Sequence, residues 1–365
     1  MKLRFLTIFP EAENIHLIKD VGMLPYALHK EYGYESTIAC YHNGNYPYLL
    51  TELTGLKMMF IKRIFGNVVL DVLWFLLWHR SKFDIMQTYH FQFRSLLWLY
   101  FFKLFTRKRK TYLKLDANAD TLRKSESGKF ADINKKLLKH VNLMSVESRL
   151  LQRQLEEKWN VDLLLVPNGF YKPETPFIQY ENKKNIILTV GRIGSPEKCN
   201  RQLIEAFGEI SFLFPAWILE LTGPVEPDFQ TEIADFFEQY PNLKDRIIFT
   251  GAIADRNELF KKYNEAKIFC LPSIREGFPL AMVEAASAGC YLISSDFASA
   301  YDITDNEKFG TIFPAGKFKN LREQLSEAMA NETMMAQNCI PVQHYIKQTF
   351  SWKVIAERIH QKLND

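Results

Sequence analysis

Residues 266–296 read AKIFCLPSIREGFPLAMVEAASAGCYLISSD. Two apolar runs, "AKIFCLPS" (266–273) and "GCYLISSD" (289–296), frame a stretch of a different kind. Apolar runs that do not alternate predict strands covered on both faces. Between them Pro279 suits the first turn of a helix, and Leu280 to Ala288 are helix formers that Gly289 ends. Strand, loop, helix and strand in this order make the repeating unit of a parallel sheet. The same stretch places Glu276 in the loop and Glu284 in the second helical turn, eight positions apart.

The alternation extends in both directions. Strands are expected at 3–9, 35–40, 83–89, 109–115, 140–148 and 161–168, then at 185–191, 216–223, 246–251 and 310–316. Helical patterns at 198–214, 229–240 and 256–265 lie between the later ones. The segment "YKPETPFIQYENKK" (171–184), with two prolines and little periodicity, divides the chain into two α/β halves. In an open parallel sheet ligands bind beyond the carboxyl ends of the strands. Two such halves facing each other would leave a cleft lined by residues that follow strands.

Composition narrows the class. The chain has 365 residues, 47% hydrophobic and 24% charged, too many for one ordinary core and without a disordered signature. A net charge of +4 gives no argument for nucleic acid. The five cysteines form no CxxC pair, which speaks against a disulfide framework or zinc site and fits a reducing compartment. The opening run "LRFLTIF" reads as a core strand rather than a signal peptide, so a cytoplasmic location is expected. Residues 67–80 and 93–110 are the most apolar, and neither reaches the ~18 residues that a spanning helix needs. The second ends in Arg107, Lys108, Arg109 and Lys110, a pattern that fits either an interfacial segment on an anionic membrane surface or a buried helix with a solvated basic end.

In the second half, Gly191-Arg192, Gly223-Pro224, Gly251 and Glu276-Gly277 each follow a strand. Glycine there lets a ligand approach the backbone closely. Arg192 and Lys198 would supply a guanidinium and an ammonium for a diphosphate. Backbone N–H groups around Gly277, Phe278, Pro279 and Leu280 would form an anion site at the helix start. Glu276 and Glu284 would accept hydroxyls at the two ends of such a ligand, sugar and ribose respectively. The plainer alternatives are helix-dipole stabilisation for Glu276 and ordinary surface positions for the others, although the Ala, Val and Met neighbours of Glu284 argue against simple exposure.

These residues carry a resemblance. Glu276 to Glu284 resembles the E-x7-E signature of family-4 retaining glycosyltransferases of the polysaccharide-biosynthesis type. "LLLVPNGF" (163–170), "ILTVGRIGSPEK" (187–198), "DRIIFTGAI" (245–253), "KFGTIFPAGKFKNLREQL" (308–325) and "TFSWKVIAERI" (349–359) are similar to further elements of that family. The resemblance implies the GT-B architecture: a Rossmann-like acceptor-side domain at 1–170, a linker at 171–184, a nucleotide-sugar domain at 185–345 and a crossover helix at 346–365 that returns to the first domain. It implies a sugar contact for Glu276, ribose for Glu284 and the diphosphate for Arg192 and Lys198. Gly277, Phe278, Pro279, Leu280, Gly223 and Gly251 would complete the donor site. It also implies that His90 lies near the reacting carbon of the sugar.

The departures concern the first half and one loop. Cys199 follows Lys198 where the family usually has glycine, and Gly22 stands alone in 11–28 where a Gly-Gly loop is usual. Asp116 and Asn118, in "LKLDANAD" (113–120), are the acceptor-side candidates together with Gly22. No D-x-D pair occurs, so neither a metal nor any other cofactor is expected, and the donor would be a UDP- or GDP-sugar. The expected protein is a metal-independent, retaining hexosyltransferase acting on a glycan or lipid-linked acceptor, cytoplasmic and peripheral on the inner membrane face through 93–110. The rival readings are a catalytically silent sugar-nucleotide-binding partner and a GT-B-fold nucleotide-sugar epimerase.

Overall fold

The computed structural model describes residues 2–104, 106, 108–117, 131–170 and 176–364. Asn118 and Arg107 therefore lie outside the described residues. The chain divides into two compact units, Met1–Tyr171 with Phe350–Asp365, and Lys172–Thr349.

The first unit is built on a parallel sheet of seven strands. They are β1 (Arg4–Ile8), β2 (Glu35–Cys40), β3 (Lys57–Phe60), β4 (Ile85–Tyr89), β5 (Lys110–Lys114), β6 (Leu143–Val146) and β7 (Leu164–Leu165). Their order is β3-β2-β1-β4-β5-β6-β7. The direction of winding reverses between β1 and β4, the place where an open sheet leaves a crevice. The edge strand β3 has no counterpart among the sequence expectations. Its residues "KMMF" lack β-branched side chains and stay half exposed, so pairing with β2 alone makes them a strand.

Three features close this unit. The helix Trp352–Asn364 packs on the helix Asp20–Tyr32, with the His360 ring stacked on Tyr32 at 3.9 Å and its Nδ1 3.0 Å from the Tyr34 hydroxyl. A side chain at Gly169 would strike the Trp352 ring at 2.6 Å, so that glycine makes room for the closing helix. Gly22 is likewise a packing glycine. It lies buried inside the helix Asp20–Tyr32, where a Cβ would come within 2.1 Å of the Leu17 carbonyl oxygen. Gly22 thus lies in a helix contact rather than in a loop.

Of the two apolar stretches, 93–110 takes the buried one of its two readings and 67–80 is the one that keeps an exposed face. Phe93–Lys103 buries Ser95, Leu96, Trp98, Leu99 and Phe102, so the interfacial reading of 93–110 fails where its apolar bulk lies. Of its basic end, Arg109 donates to the Phe102 carbonyl at 3.0 Å and Lys110 to the Leu363 carbonyl at 2.5 Å. Val68–His79 instead buries only Asp71, Val72, Phe75 and Leu76. Asp71 Oδ1 accepts the N–H groups of Ile64 and Phe65 at 2.9 and 2.8 Å, and Oδ2 accepts the Tyr41 hydroxyl at 2.9 Å. Burial would raise this carboxyl, but the Phe65 N–H, the Tyr41 hydroxyl and the Ile64 N–H outweigh it and hold it below the ordinary range. A depressed folded-state pKa means that the stabilisation is present above the unfolded value of about 3.9 and is lost as pH falls through the folded one. Asp71→Ala is expected to cost about 2–4 kcal/mol at neutral pH, because three donors lose their acceptor. Denaturant midpoints at neutral and acid pH check this: the gap between native and variant should narrow in acid.

The second unit carries a parallel six-stranded sheet of order β10-β9-β8-β11-β12-β13. The strands are β8 (Lys184–Val190), β9 (Ile218–Thr222), β10 (Ile247–Gly251), β11 (Ala266–Leu271), β12 (Tyr291–Ser295) and β13 (Gly310–Phe313). Strand β11 is buried at every position: Ile268 to Leu271 are apolar, and Lys267 keeps its ammonium on Asn185 Oδ1 at 2.6 Å and Glu332 Oε1 at 2.8 Å. Winding reverses between β8 and β11. The later part of the expected linker is anchored here, since Gln343 Oε1 accepts the Ile178 N–H at 2.8 Å and Gln343 Nε2 donates back to the Ile178 carbonyl at 2.8 Å.

Candidate active site

At the carboxyl edge of the second sheet, three strand ends are tied together through glycines. The Gly191 N–H donates to the Thr222 carbonyl at 3.0 Å, and the Gly223 N–H donates to the Gly251 carbonyl at 2.9 Å. Gly223 has φ +144° and a Cβ there would fall 1.7 Å from the Gly191 oxygen, so only glycine allows the two loops to touch. Gly251 has φ +71° with nothing within 4 Å of a built Cβ, which leaves its face open.

The loops after β8 and β11 flank the reversal point, and they meet. Lys198 Nζ lies 2.5 Å from Glu276 Oε1, with both side chains largely covered at 18% and 12% exposure. The Ile274 N–H donates to the Glu197 carbonyl at 2.9 Å and locks one loop to the other. Cys199 takes φ +52° and ψ +36°, the left-handed conformation that glycine adopts at little cost. The departure at this position therefore changes the residue and keeps the backbone turn. Arg192 is 60% exposed and pairs with Glu197, a partner that sequence reasoning missed.

The helix Leu280–Ser287 follows, with Pro279 at its N-cap rather than in its first turn. The first-turn N–H groups of a helix have no internal acceptor and aim outward, in the direction of an anion. The loop before it is fixed by Ser299 Oγ, which donates to the Gly277 carbonyl at 2.7 Å, and by burial of Phe278. Glu284 is 5% exposed and its carboxylate pairs with Arg256 of the helix Arg256–Glu265. Burial raises this carboxyl above its ordinary range, against the pull of Arg256 and the neighbouring Tyr263 hydroxyl. Arg256 was not foreseen. Its one sequence signal is a cation at the start of a helix, after Asp255, where positive charge is mildly unfavourable.

Against this geometry, residues 172–342 match the family described as "Glycosyl transferases group 1". That match spans the second unit almost end to end. Similar proteins include the serotype-specific mannosyltransferase WbdA of Escherichia coli, 28% identical over 159 residues, which are 42% of this chain and 18% of WbdA. A phosphatidyl-myo-inositol mannosyltransferase of Mycobacterium leprae is 23% identical over 217 residues, 58% of this chain and 56% of that one. The chain thus spans under a fifth of the first relative and about half of the second. Among solved structures, sucrose-phosphate synthase from Thermosynechococcus elongatus superposes with a TM-score of 0.76 at 17% identity, over 100% of this chain and 98% of that one. Anabaena HepE in complex with UDP and glucose gives 0.74 at 15% identity, over 99% of both chains. At such identities the likeness establishes the fold, which is GT-B.

The first unit of this GT-B chain has its own cluster at the carboxyl ends of β4 and β5. His90 and Asp116 both take left-handed backbone, φ +63° and +45°, and His90 Nδ1 lies 3.7 Å from Asp116 Oδ2. A fully buried Lys114 lies beneath them. It reaches Glu147 Oε1 at 2.6 Å, Asn168 Oδ1 at 2.8 Å and Asp20 Oδ2 at 3.2 Å. Glu147 in turn accepts the N–H groups of Asp116 and Ala117 at 3.0 and 2.9 Å. Burial would lower the Lys114 pKa, but Glu147, Asp20 and Asp116 outweigh it and keep the ammonium charged. Asn168 of the "PNG" stretch is therefore part of the buried support for Asp116. Lys114, Glu147 and Asp20 escaped the sequence reading because each looks like an ordinary charge on a strand or helix end. Among the described residues no group of His, Cys, Asp and Glu is arranged to hold a metal ion.

Proposed function

We propose that this protein is a retaining glycosyltransferase that moves a sugar from a nucleoside diphosphate sugar to a glycan or lipid-linked acceptor in cell-surface glycan biosynthesis. The observation that carries the reading is the Lys198–Glu276 pair at the reversal point of a sheet where Gly223 lets the neighbouring loops pack together and Gly251 leaves an open face. A covered ammonium beside a helix N-terminus suits a leaving diphosphate, and a carboxylate fixed by that ammonium suits sugar hydroxyls. Arg192, exposed beside Glu197, can turn to a phosphate by exchanging one anionic partner for another. Glu284 is assigned to the ribose, with Arg256 holding its carboxylate in place. His90 and Asp116 are assigned the sugar and acceptor roles that the family resemblance implies.

Chemically, the bond from the anomeric carbon to the diphosphate oxygen breaks and a bond to the acceptor oxygen forms on the same face. The acceptor's proton passes to the departing phosphate oxygen, so charge and atoms balance without a protein nucleophile. Support for retention is the family resemblance, and for a nucleotide-sugar donor the concentration of positive charge and N–H groups at one sheet edge.

Thermal-shift measurements with UDP-, GDP- and ADP-sugars test the reading. One nucleotide should raise the native midpoint, and Glu284→Gln should bind the same donor about 10–100-fold more weakly, the worth of a hydrogen bond to a charged group. Slow donor hydrolysis should accompany binding. Stabilisation without hydrolysis or transfer to any acceptor would favour a silent binding partner, and no stabilisation by any donor would overturn the proposal.

A further inference from the structure

We propose that residues 60–78 form a surface by which this protein rests on an anionic lipid bilayer. Phe60, Ile64, Phe65, Leu70, Trp74, Leu77 and Trp78 are each between 40% and 62% exposed, within one stretch of the first unit. On the helix Val68–His79 the exposed members stand at 70, 74, 77 and 78, a single stripe at helical spacing opposite the buried Val72, Phe75 and Leu76. The rings are contiguous. Phe65 meets Trp74 edge-on at 6.0 Å, and Trp74 meets Trp78 edge-on at 5.8 Å.

The patch is built, not incidental. Asp71 holds the N–H groups of Ile64 and Phe65 from inside, which fixes the preceding loop with both side chains outward. Trp98 of the neighbouring helix donates to the Val69 carbonyl at 3.3 Å and secures the inner face. A helix of 12 residues is about 18 Å long, too short to cross a bilayer but suited to lying in its interface.

Charge selects the occupant. Residues 57–82 contain Lys57, Lys62, Arg63, Arg80 and Lys82, and their one acid is the buried Asp71. Lys62, Arg63 and Lys82 are exposed at the two ends of the apolar stripe. A second copy of the chain seated on this face by a two-fold axis would set these cations against their own images, whereas anionic headgroups would neutralise them. Tryptophan and phenylalanine flanked by lysine and arginine is the composition of a membrane interface. The cavity beside Arg63 is lined by Glu11 and Glu13 as well as Tyr41, His42 and Asn43, so the attraction to headgroups rests on Lys62 and Lys82 at the ends of the stripe.

Co-sedimentation of the full chain with vesicles of phosphatidylcholine alone, or containing phosphatidylglycerol, tests this. Binding is expected to the phosphatidylglycerol vesicles at low salt and to weaken in high salt. Trp74→Ser with Trp78→Ser should weaken it at least 10-fold. Lys62→Gln with Lys82→Gln should weaken it about 5–25-fold, at roughly fivefold for each basic residue near a charged surface. Lys108→Gln, in the bend before β5 and outside this stretch, should leave it unchanged. Circular dichroism and the donor-induced thermal shift, both expected to be unaltered in the tryptophan variant, separate this proposal from the donor-site reading. No binding of the native chain, or undiminished binding of the tryptophan variant, would overturn it. So would a dimer that the tryptophan substitutions dissociate in the absence of vesicle binding.

Discussion

Lys198→Met is expected to lower kcat by roughly 10²–10³-fold, the loss that follows removal of one donor to a developing anion in a covered site. Methionine keeps most of the stem that packs beside Gly191, whose built Cβ would lie 3.7 Å from Lys198 Cε, and removes only the charge. The loss should fall on turnover more than on donor affinity, because the ammonium matters most when the diphosphate departs. It also strips Glu276 of the cation 2.5 Å away, so Glu276→Gln and the double variant belong in the same series. Residues that act as one unit give a double variant little worse than the poorer single one. Steady-state kinetics with the donor found by thermal shift decides the matter. A variant within threefold of native turnover would remove Lys198 from the chemistry.

The second large effect is structural. Gly223→Ala forces a side chain into φ +144° and places its Cβ 1.7 Å from the Gly191 carbonyl oxygen, a backbone atom that cannot swing aside. The loop must move, and a cost above about 4 kcal/mol is expected. For a unit of this size that corresponds to a fall in melting midpoint of roughly 8–16 °C. The displaced loop carries Arg192 and Lys198, so donor binding should fail in whatever fraction still folds. Gly251→Ala is the control. Its φ of +71° is left-handed but nothing stands within 4 Å, so about 1–2 kcal/mol is expected there. Equal midpoints for the two variants would show that the close approach of the loops is not what requires glycine.

Much of the fold was legible because it is written in short segments. Strands such as β11 are largely apolar runs, and Gly289 stops a helix at the place where the run of helix formers ends. The strand β3 was not legible, since four residues without β-branching become a strand only when β2 offers its edge. Cys199 shows the same limit from the other side: a cysteine reads as a departure from glycine, yet the backbone around it takes the glycine conformation. The place of Gly22 was not legible because an isolated glycine looks alike in a loop and in a helix contact, and only the approach of Leu17 distinguishes them.

From the sequence by itself came the alternation of strands and helices, the glycines after strands and the eight-residue spacing of Glu276 and Glu284, because each depends on neighbours along the chain. Which cation meets which carboxylate was decided only in three dimensions. Lys198 reaches Glu276 across 78 positions and Arg256 reaches Glu284 across 28, because sheet order sets which loops become neighbours. Likewise, two apolar helices of similar composition became a buried one at 93–103 and a half-exposed one at 68–79. Burial is a property of what packs on a face, and the chain that packs there lies elsewhere in the sequence.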